Sequence, residues 1–397
     1  MERTEIVVVG AGLIGATLAW RLARAGRKVV LLDRGEPGAE ASTAAVGGLQ
    51  PEARHETDAA LLGLWVKSLT VYGAFVGEIR EQTNTAFEYR VSGHLQLAFD
   101  DVAEQSLREK LALQRAAGIE CFYLSGEEAR RREPSLAPNV RGALLFPDHG
   151  YVDNQLLSRA VVQAAALAGT DVRGFEPVLA VASSGGRIDG VQTSRGQIAA
   201  DVVVNAAGAW AASLVPTVTQ YLSEQRGTPY LYQYRRTPAP GSAGAEESLP
   251  VVRPMKGEVV ALRSQTRIFE HTLTVDGGTL VARGDGRVIV GGTVVEAGFD
   301  RVLTAGGVGE LVAAAVGAVP ALAEAQFLDA WTGLRPRTPD DRPIIGADRI
   351  SGFYWATGHY KMGILSAPAT ADALASLIDG KAPAVPLDSL GPRRFGL

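Results

Sequence analysis

The chain opens on a change of period. Residues 1–5 carry charge, residues 6–9 form a short β-branched run that Gly10 ends, and from Leu13 apolar residues recur at helical spacing (Leu13, Ala16, Leu18, Leu22, Ala25) before a second β-branched run over 29–32. This pattern predicts strand, helix, strand. Two strands joined by a helical crossover imply a parallel sheet. The same style returns in an alanine-rich amphipathic helix over 155–168, a buried strand over 201–205 (DVVVN) and an amphipathic helix over 364–378.

The intervening stretches differ. Residues 89–99, 256–263, 279–283 and 287–292 alternate or cluster β-branched residues between glycine turns and read as antiparallel strands. The expectation is an α/β fold: a doubly wound Rossmann-like nucleotide domain from 1–82, 145–218 and 327–397, interleaved with an antiparallel-sheet substrate domain from 83–144 and 219–326. The connection over 221–254 carries four tyrosines and then a Pro, Gly, Ser and Ala stretch, which reads as a loop. No repeat of solenoid period is seen.

Composition narrows the function. With 46% apolar and 21% charged residues the chain can bury an ample core, so global disorder is excluded. Its 39 Lys and Arg against 43 Asp and Glu give a net charge of −4. There is no basic surplus to neutralise a phosphate backbone, so small ligands are expected as partners and nucleic acid is not. The single Cys121 permits no internal disulfide and no thiolate zinc cluster, which suits the reducing cytoplasm. The start lacks a signal-peptide layout. The longest apolar candidate, 308–325, is broken by Glu310, Pro320 and Glu324, so no membrane span is expected. A homo-oligomer is left open. The 46 glycines predict many close backbone approaches.

Gly10, Gly12 and Gly15 form a G-x-G-x-x-G loop after a strand and at the opening of a helix, and Asp33 ends the following strand. Gly10 permits the turn, Gly12 lets a pyrophosphate reach the backbone at the positive helix end, and Gly15 allows close helix packing. Asp33 suits ribose hydroxyls and argues against a 2′-phosphate. A bare glycine turn with a surface aspartate is the alternative. Residues 40–51 (EASTAAVGGLQP) are small enough to lie along a pyrophosphate and reach a flavin, or they are simply a loop leading into a helix near Asp58.

These motifs, with DVVVNAAGAW over 201–210, GLRPRTPDDRPIIG over 333–346 and GHYKMGILSAPATADAL over 358–374, resemble the D-amino-acid oxidase-like FAD enzymes, and the glycine oxidases among them. The likeness runs in order from residue 5 to about 380, the 221–254 connection excepted. It implies backbone of Leu13 and Ile14 on the pyrophosphate, and Asp33 and Arg34 on the adenosine. Ala41, Ser42, Val46, Gly47 and Gly48 would line the phosphates and flavin, and Val178 would touch adenine. The loop of His359, Tyr360, Lys361, Met362, Gly363, Ile364 and Leu365 would wrap the pyrimidine edge. Independently, a helix starting near Gly363 points its positive end where a reduced flavin gathers negative charge. Plain carboxy-terminal docking is the other reading of this helix.

The resemblance makes Arg335 the anchor of a substrate carboxylate, for which a guanidinium offers two parallel donors. The residues alone allow a salt bridge from Arg335 to Asp340 or Asp341. Lys361 stands where the glycine oxidases carry a second arginine near the substrate, and keeps the charge without the fork. Thr279 or Gly278 replaces a tyrosine and Gly48 a methionine. Both changes remove bulk and predict a roomier pocket, unless Tyr230, Tyr232 or Tyr234 folds in. Lys256 could face the flavin or be a solvated strand charge. The five histidines (His55, His94, His149, His271, His359) show no metal spacing, and no metal is expected. Cys121 does not match a flavin-attachment position, so FAD is expected to be noncovalent.

The implied activity is an FAD-dependent oxidase of small amines or amino acids (glycine, sarcosine or a D-amino acid). Hydride would pass from Cα to flavin N5, the imine would hydrolyse, and molecular oxygen would yield hydrogen peroxide. The alternatives are an FAD-dependent dehydrogenase of a 2-hydroxy acid or amine with another acceptor, and a noncatalytic flavin-binding subunit.

Overall fold

The computed structural model describes residues 2–54, 57–214, 251–397 and the backbone of 217–218. The opening pattern folds as its period demands. Strand Glu2–Val9 runs parallel to Val29–Leu32 on one side and to Gly196–Asn205 on the other, with helix Leu13–Arg24 between the first two. Successive side chains of a strand point to opposite faces. Ile6 and Val8 therefore join a core shared by helices Leu13–Arg24, Ala59–Thr83, Asn154–Leu167 and Gly363–Ile378, while Val7 and Val9 join Val181, Val191, Phe353 and Trp355 on the other face. Helices thus cover one face. An antiparallel meander of Val178–Ser184 and Arg187–Thr193, which continues into the edge of the same sheet, supplies much of the other.

A second sheet, of eight strands among the described residues, holds the 256–263, 279–283 and 287–292 patterns and the later part of 89–99. Its pairs are antiparallel except Thr272–Val275 against His94–Ala98, which are parallel. The earlier part of the 89–99 pattern, Tyr89–Arg90, lies in a separate small sheet with Gly48–Leu49 and Gly150–Val152. One placement differs from the sequence reading, which opens the third nucleotide-domain segment at 327. Strand Gln326–Arg337 pairs along its length with Arg253–Arg263 and so belongs to the second sheet. The second sheet meets the short helix Ala41–Ala44 where Gly333 passes so close to Ala44 that a Cβ on the glycine would lie 2.6 Å from the alanine's. Trp331 Nε1 donates to Ala44 O at 3.1 Å at the same contact.

Helix Ala59–Thr83 is long and apolar enough to cross a membrane by length and composition, which the reading of 308–325 passed over. Here it packs in the core, with Leu64, Tyr72, Phe75 and Ile79 buried. Its polar residues complete another helix. Pro368, inside Gly363–Ile378, has no N–H to give the Ile364 carbonyl four residues back. Tyr72 Oη donates to that carbonyl at 3.0 Å, and Ser68 Oγ donates to Leu365 O at 2.6 Å.

Candidate functional site

A cleft runs between the sheets, holding about 1420 Å³ of space with its open mouth included, far more than a single amino acid needs. At one end it is walled by the glycine loop. Gly10 has φ +104°, and a Cβ there would strike the Ala206–Ala207 backbone, so the turn admits only glycine. Gly15 faces away from the cleft and sits against Gly10 and Ala206, the packing role expected of it. Helix Leu13–Arg24 has no acidic side chain in its first turn, which leaves its positive end to an incoming anion. Ser42 Oγ accepts from Leu13 N at 3.0 Å and brings the small-residue segment Ala41–Ala44 over that helix end. Gly12, Leu13, Ile14, Ala41 and Ser42 all line the cleft.

Asp33 and Arg34 lie further along. The Asp33 carboxylate accepts from Ala11 N at 2.8 Å and Gly35 N at 2.9 Å, which ties the strand end to the glycine loop. The Arg34 guanidinium lies 3.5 Å from the centroid of the Trp210 ring and donates to Glu40 at 2.9 Å. Val178 lines the same end. So does Glu176, unnoticed in the sequence, whose Oε1 accepts from Thr193 Oγ1 at 2.7 Å while its buried Oε2 lies 3.7 Å from Arg195 Nη1.

Arg335 enters at the opposite end. Its strand places Gly333 opposite Gly257 and Arg335 opposite Met255, and the guanidinium folds over Gly257, where a side chain would collide with it. Nη1 donates to Thr293 O at 2.8 Å. No carboxylate of the described residues pairs with it. Asp341 instead pairs with Arg337, at 2.5 Å from Nε, and Asp340 with Arg342 and Arg394, at 3.1 and 2.8 Å, so the local salt bridge allowed by the residues alone is not made. Burial holds the Arg335 pKa below its ordinary value. A half-buried guanidinium facing a cleft with no acid beside it is open to an incoming carboxylate.

The loop before the last helix is bonded to this strand. Arg337 and His359 form an antiparallel bridge, and Tyr360 N donates to Pro336 O at 2.9 Å. Tyr360 is held at φ +48°, an uncommon conformation for its type. His359, Tyr360, Lys361, Gly363 and Ile364 line the cleft, whereas Leu365 is buried in the helical core and Met362 packs at its edge. The first turn of the last helix thus faces the cleft while its body docks in the core. His359 Nε2 lies 3.0 Å from Thr370 Oγ1, and burial takes its pKa down to about 3, so the ring is neutral.

Val46, Gly47 and Gly48 lie behind the wall rather than in it. Arg283 Nη2 donates to Val46 O at 2.9 Å, and Asn154 Nδ2 donates to Ser42 O at 2.7 Å, so two buried side chains missed in the sequence hold the segment from below. Gly47 has φ +88° and packs against Val152 O and Arg283. The Gln50 amide folds back beside Gly48, 3.3 Å from where a Cβ would stand, and takes up part of the bulk that glycine removes. Thr279 shares a hydrogen bond with Thr274 at 3.2 Å, away from the cleft. Tyr230, Tyr232, Tyr234 and His55 lie outside the described residues. Both expectations for Lys256 are overturned. It is neither solvated nor turned to the cleft, because the cleft takes its neighbours Gly257 and Val259; Lys256 is buried and donates to Val302 O at 2.8 Å. His94 and His149 stack on Phe146 in the interior, and His271 pairs with Glu133 at 2.5 Å. Cys121 is buried in a separate cluster with Leu144 and Phe146.

The arrangement fits FAD. The glycine turn and bare helix end suit its pyrophosphate, the Glu176 carboxylate lies at the Asp33 end, and the cleft runs on past the pyrophosphate site to Arg335. Residues 5–377 match the family model described as FAD dependent oxidoreductase. The chain is 31% identical to a glycine oxidase of Geobacillus kaustophilus, over 96% of this chain and 94% of that one. The solved structure of glycine oxidase from Geobacillus kaustophilus superposes with a TM-score of 0.86 at 30% identity, covering 98% of each chain. Iminodiacetate oxidase from Chelativorans sp. BNC1 superposes with a TM-score of 0.79 at 28% identity, covering 98% of this chain and 99% of that one.

Proposed function

The chain belongs to the DAO family of FAD dependent oxidoreductases, and on that premise we propose that it is an oxidase of small amines or amino acids such as glycine, sarcosine or a D-amino acid. The observation that carries the reading is Arg335: a half-buried guanidinium, unpaired with any described acid, at the far end of a cofactor cleft. The substrate carboxylate completes that ion pair. Two parallel N–H donors then fix its orientation as well as its position, and most of the rate gain comes from that fixed approach. Gly10, Gly12, Leu13, Ile14, Ser42, Asp33 and Val178 hold the cofactor, with Arg34 stacked on Trp210 beside them. Bound FAD supplies the acceptor for the Cα hydride and delivers the electrons to dioxygen.

The protein's own part is positioning. Among the described residues no carboxylate pairs with Arg335, and the one histidine lining the cleft is neutral and bonded to Thr370. The amine is therefore taken up in its neutral form. Overall, the amino acid, dioxygen and water give an oxo acid, ammonia (or the free amine) and hydrogen peroxide. The single buried thiol suits the cytoplasm, where we place the enzyme.

The test is to mix the yellow, FAD-loaded protein without oxygen with glycine, sarcosine and a panel of D-amino acids, and to follow the flavin absorbance. Bleaching by at least one, with peroxide released in air, is expected. Bleaching without peroxide would make it a dehydrogenase, and no bleaching by any amine would end the reading.

A further inference from the structure

Next to the glycine that Arg335 folds over, the sheet loses its register. Strand Arg253–Arg263 pairs antiparallel with Arg287–Gly291 as far as Val259 opposite Gly291. Pairing resumes at Lys256 opposite Val295, where each backbone N–H donates to the other's carbonyl at 2.9 Å. Between these two points one chain advances three residues (259 to 256) and the other four (291 to 295), so one extra residue is taken up at 292–294. Such a β-bulge interrupts the ladder and re-aims the groups it carries. Thr293 lies in it and uses both of its oxygens. Its hydroxyl accepts from Glu258 N at 2.6 Å, a side chain standing in for a ladder carbonyl, and its own carbonyl is thereby left to accept from Arg335 Nη1 at 2.8 Å. Among the described residues that is the guanidinium's one hydrogen bond, so its aim depends on where the Thr293 carbonyl points. The bulge is held on both sides. A Cβ on Gly292 would collide with the backbone of Gly277 and Gly278. Lys256 and Glu258, which alternate with Gly257 and so turn away from the cleft, bind the segment that follows: Lys256 Nζ donates to Val302 O at 2.8 Å, and the Glu258 carboxylate accepts from Thr304 N at 2.9 Å. The two charges are buried and lie 3.8 Å apart. A buried pair of this kind is weak evidence of stability, and its presence fits the fixing of one arrangement.

We propose that Thr293 is a positioning residue for the substrate's carboxylate: its hydroxyl keeps the bulge open, and the carbonyl so released sets the orientation of Arg335. The inference rests on the amine-oxidase reading and deepens it. With Nη1 tied to Thr293 O, the remaining N–H groups of the fork meet a carboxylate in one orientation rather than several. Without the hydroxyl, Glu258 N has no acceptor, and a buried donor left unpaired is costly. The cheapest remedy is a backbone carbonyl, as in a regular ladder. The Thr293 carbonyl is the nearest candidate, and turning it to Glu258 takes it from Arg335.

The test uses the FAD-loaded protein, with acetate titrated through the flavin spectrum and steady-state rates taken with the amine that bleaches the flavin fastest. Thr293→Val keeps the shape of the side chain and removes the hydroxyl. It is expected to bind acetate at least about 10-fold more weakly and to raise KM by a like factor, with kcat held within about threefold. Thr293→Ser is expected to restore both constants. On an Arg335→Met background, Thr293→Val is expected to cost nothing further in kcat/KM, because both act through one group. A merely structural threonine would lower stability and leave the acetate constant and KM unmoved. Acetate bound by Thr293→Val within about threefold of the parent, or a further loss on the Arg335→Met background, would overturn the positioning role and leave the amine-oxidase reading intact. A parent that binds no acetate and is bleached by no amine would remove that reading and the inference with it. Should Thr293→Val not take up FAD, Thr293→Ala, which leaves room for a water on Glu258 N, carries the same comparison.

Discussion

Gly257 gives the sharpest handle on Arg335, because alanine there disturbs the guanidinium while leaving it in the protein. A Cβ on Gly257 would stand 2.5 Å from Nη2 and closer still to Cζ and Nη1, whereas ordinary contact begins near 3.4 Å. The guanidinium must therefore retreat by about 1 Å or more. That breaks its hydrogen bond to Thr293 O, and a misplacement of this size at a substrate clamp costs about 100-fold in rate, near 2.7 kcal/mol. The strand itself is spared, since Gly257 needs no glycine-only φ and the displaced atoms are the end of a flexible side chain. Gly257→Ala is expected to bind FAD and unfold like the parent, to lose about 100-fold in kcat/KM in a peroxide-coupled assay, and to bind acetate more weakly. Arg335→Met should lose more, and adding Gly257→Ala to it should cost nothing further, because both act through one group. A Gly257→Ala enzyme within threefold of the parent, or two losses that simply multiply, would refute the placement of the carboxylate.

Three more expectations follow from the same packing. Tyr72→Phe leaves the Ile364 carbonyl without the donor that Pro368 cannot supply, and should destabilise the protein by about 1–3 kcal/mol in urea unfolding. Ser42→Ala removes the acceptor for Leu13 N and should cost the apoprotein about 1 kcal/mol in the same measurement. His94, His149 and His359 are held near pKa 3 by burial, against about 6.5 unfolded. The unfolded chain takes up protons first, so their stabilisation is complete above pH 6.5 and is lost as pH falls towards 3, by up to about 1.4 kcal/mol per histidine per pH unit. Unfolding free energy measured from pH 7 to 4 should decline accordingly, and less steeply in His94→Gln.

The nucleotide end was legible because its rules are local. A β-branched run, a glycine at φ +104° and the start of a helical period lie within a dozen residues, and each has one physical meaning. The substrate end was read less well because its partners are distant in sequence. Lys256 looked like a solvated charge on an alternating strand, but Arg253–Arg263 is buried on both faces and the lysine is satisfied by Val302. Arg335 had two acids within six residues, and their true partners were Arg337, Arg342 and, from the far carboxy terminus, Arg394. Glycine in a strand signals a close approach of backbone or ligand. Gly257 and Gly333 carried that signal, but only the register that sets them face to face shows that one makes room for Arg335 and the other for Ala44.

The central claim is that Arg335 grips the substrate's carboxylate inside the cofactor cleft. A crystal structure of the FAD-loaded protein soaked with glycolate tests it most directly. Both glycolate carboxylate oxygens are expected on the Arg335 guanidinium, with the hydroxyl-bearing carbon against the flavin ring. A carboxylate bound elsewhere, or a guanidinium turned out of the cleft in the loaded protein, would contradict it.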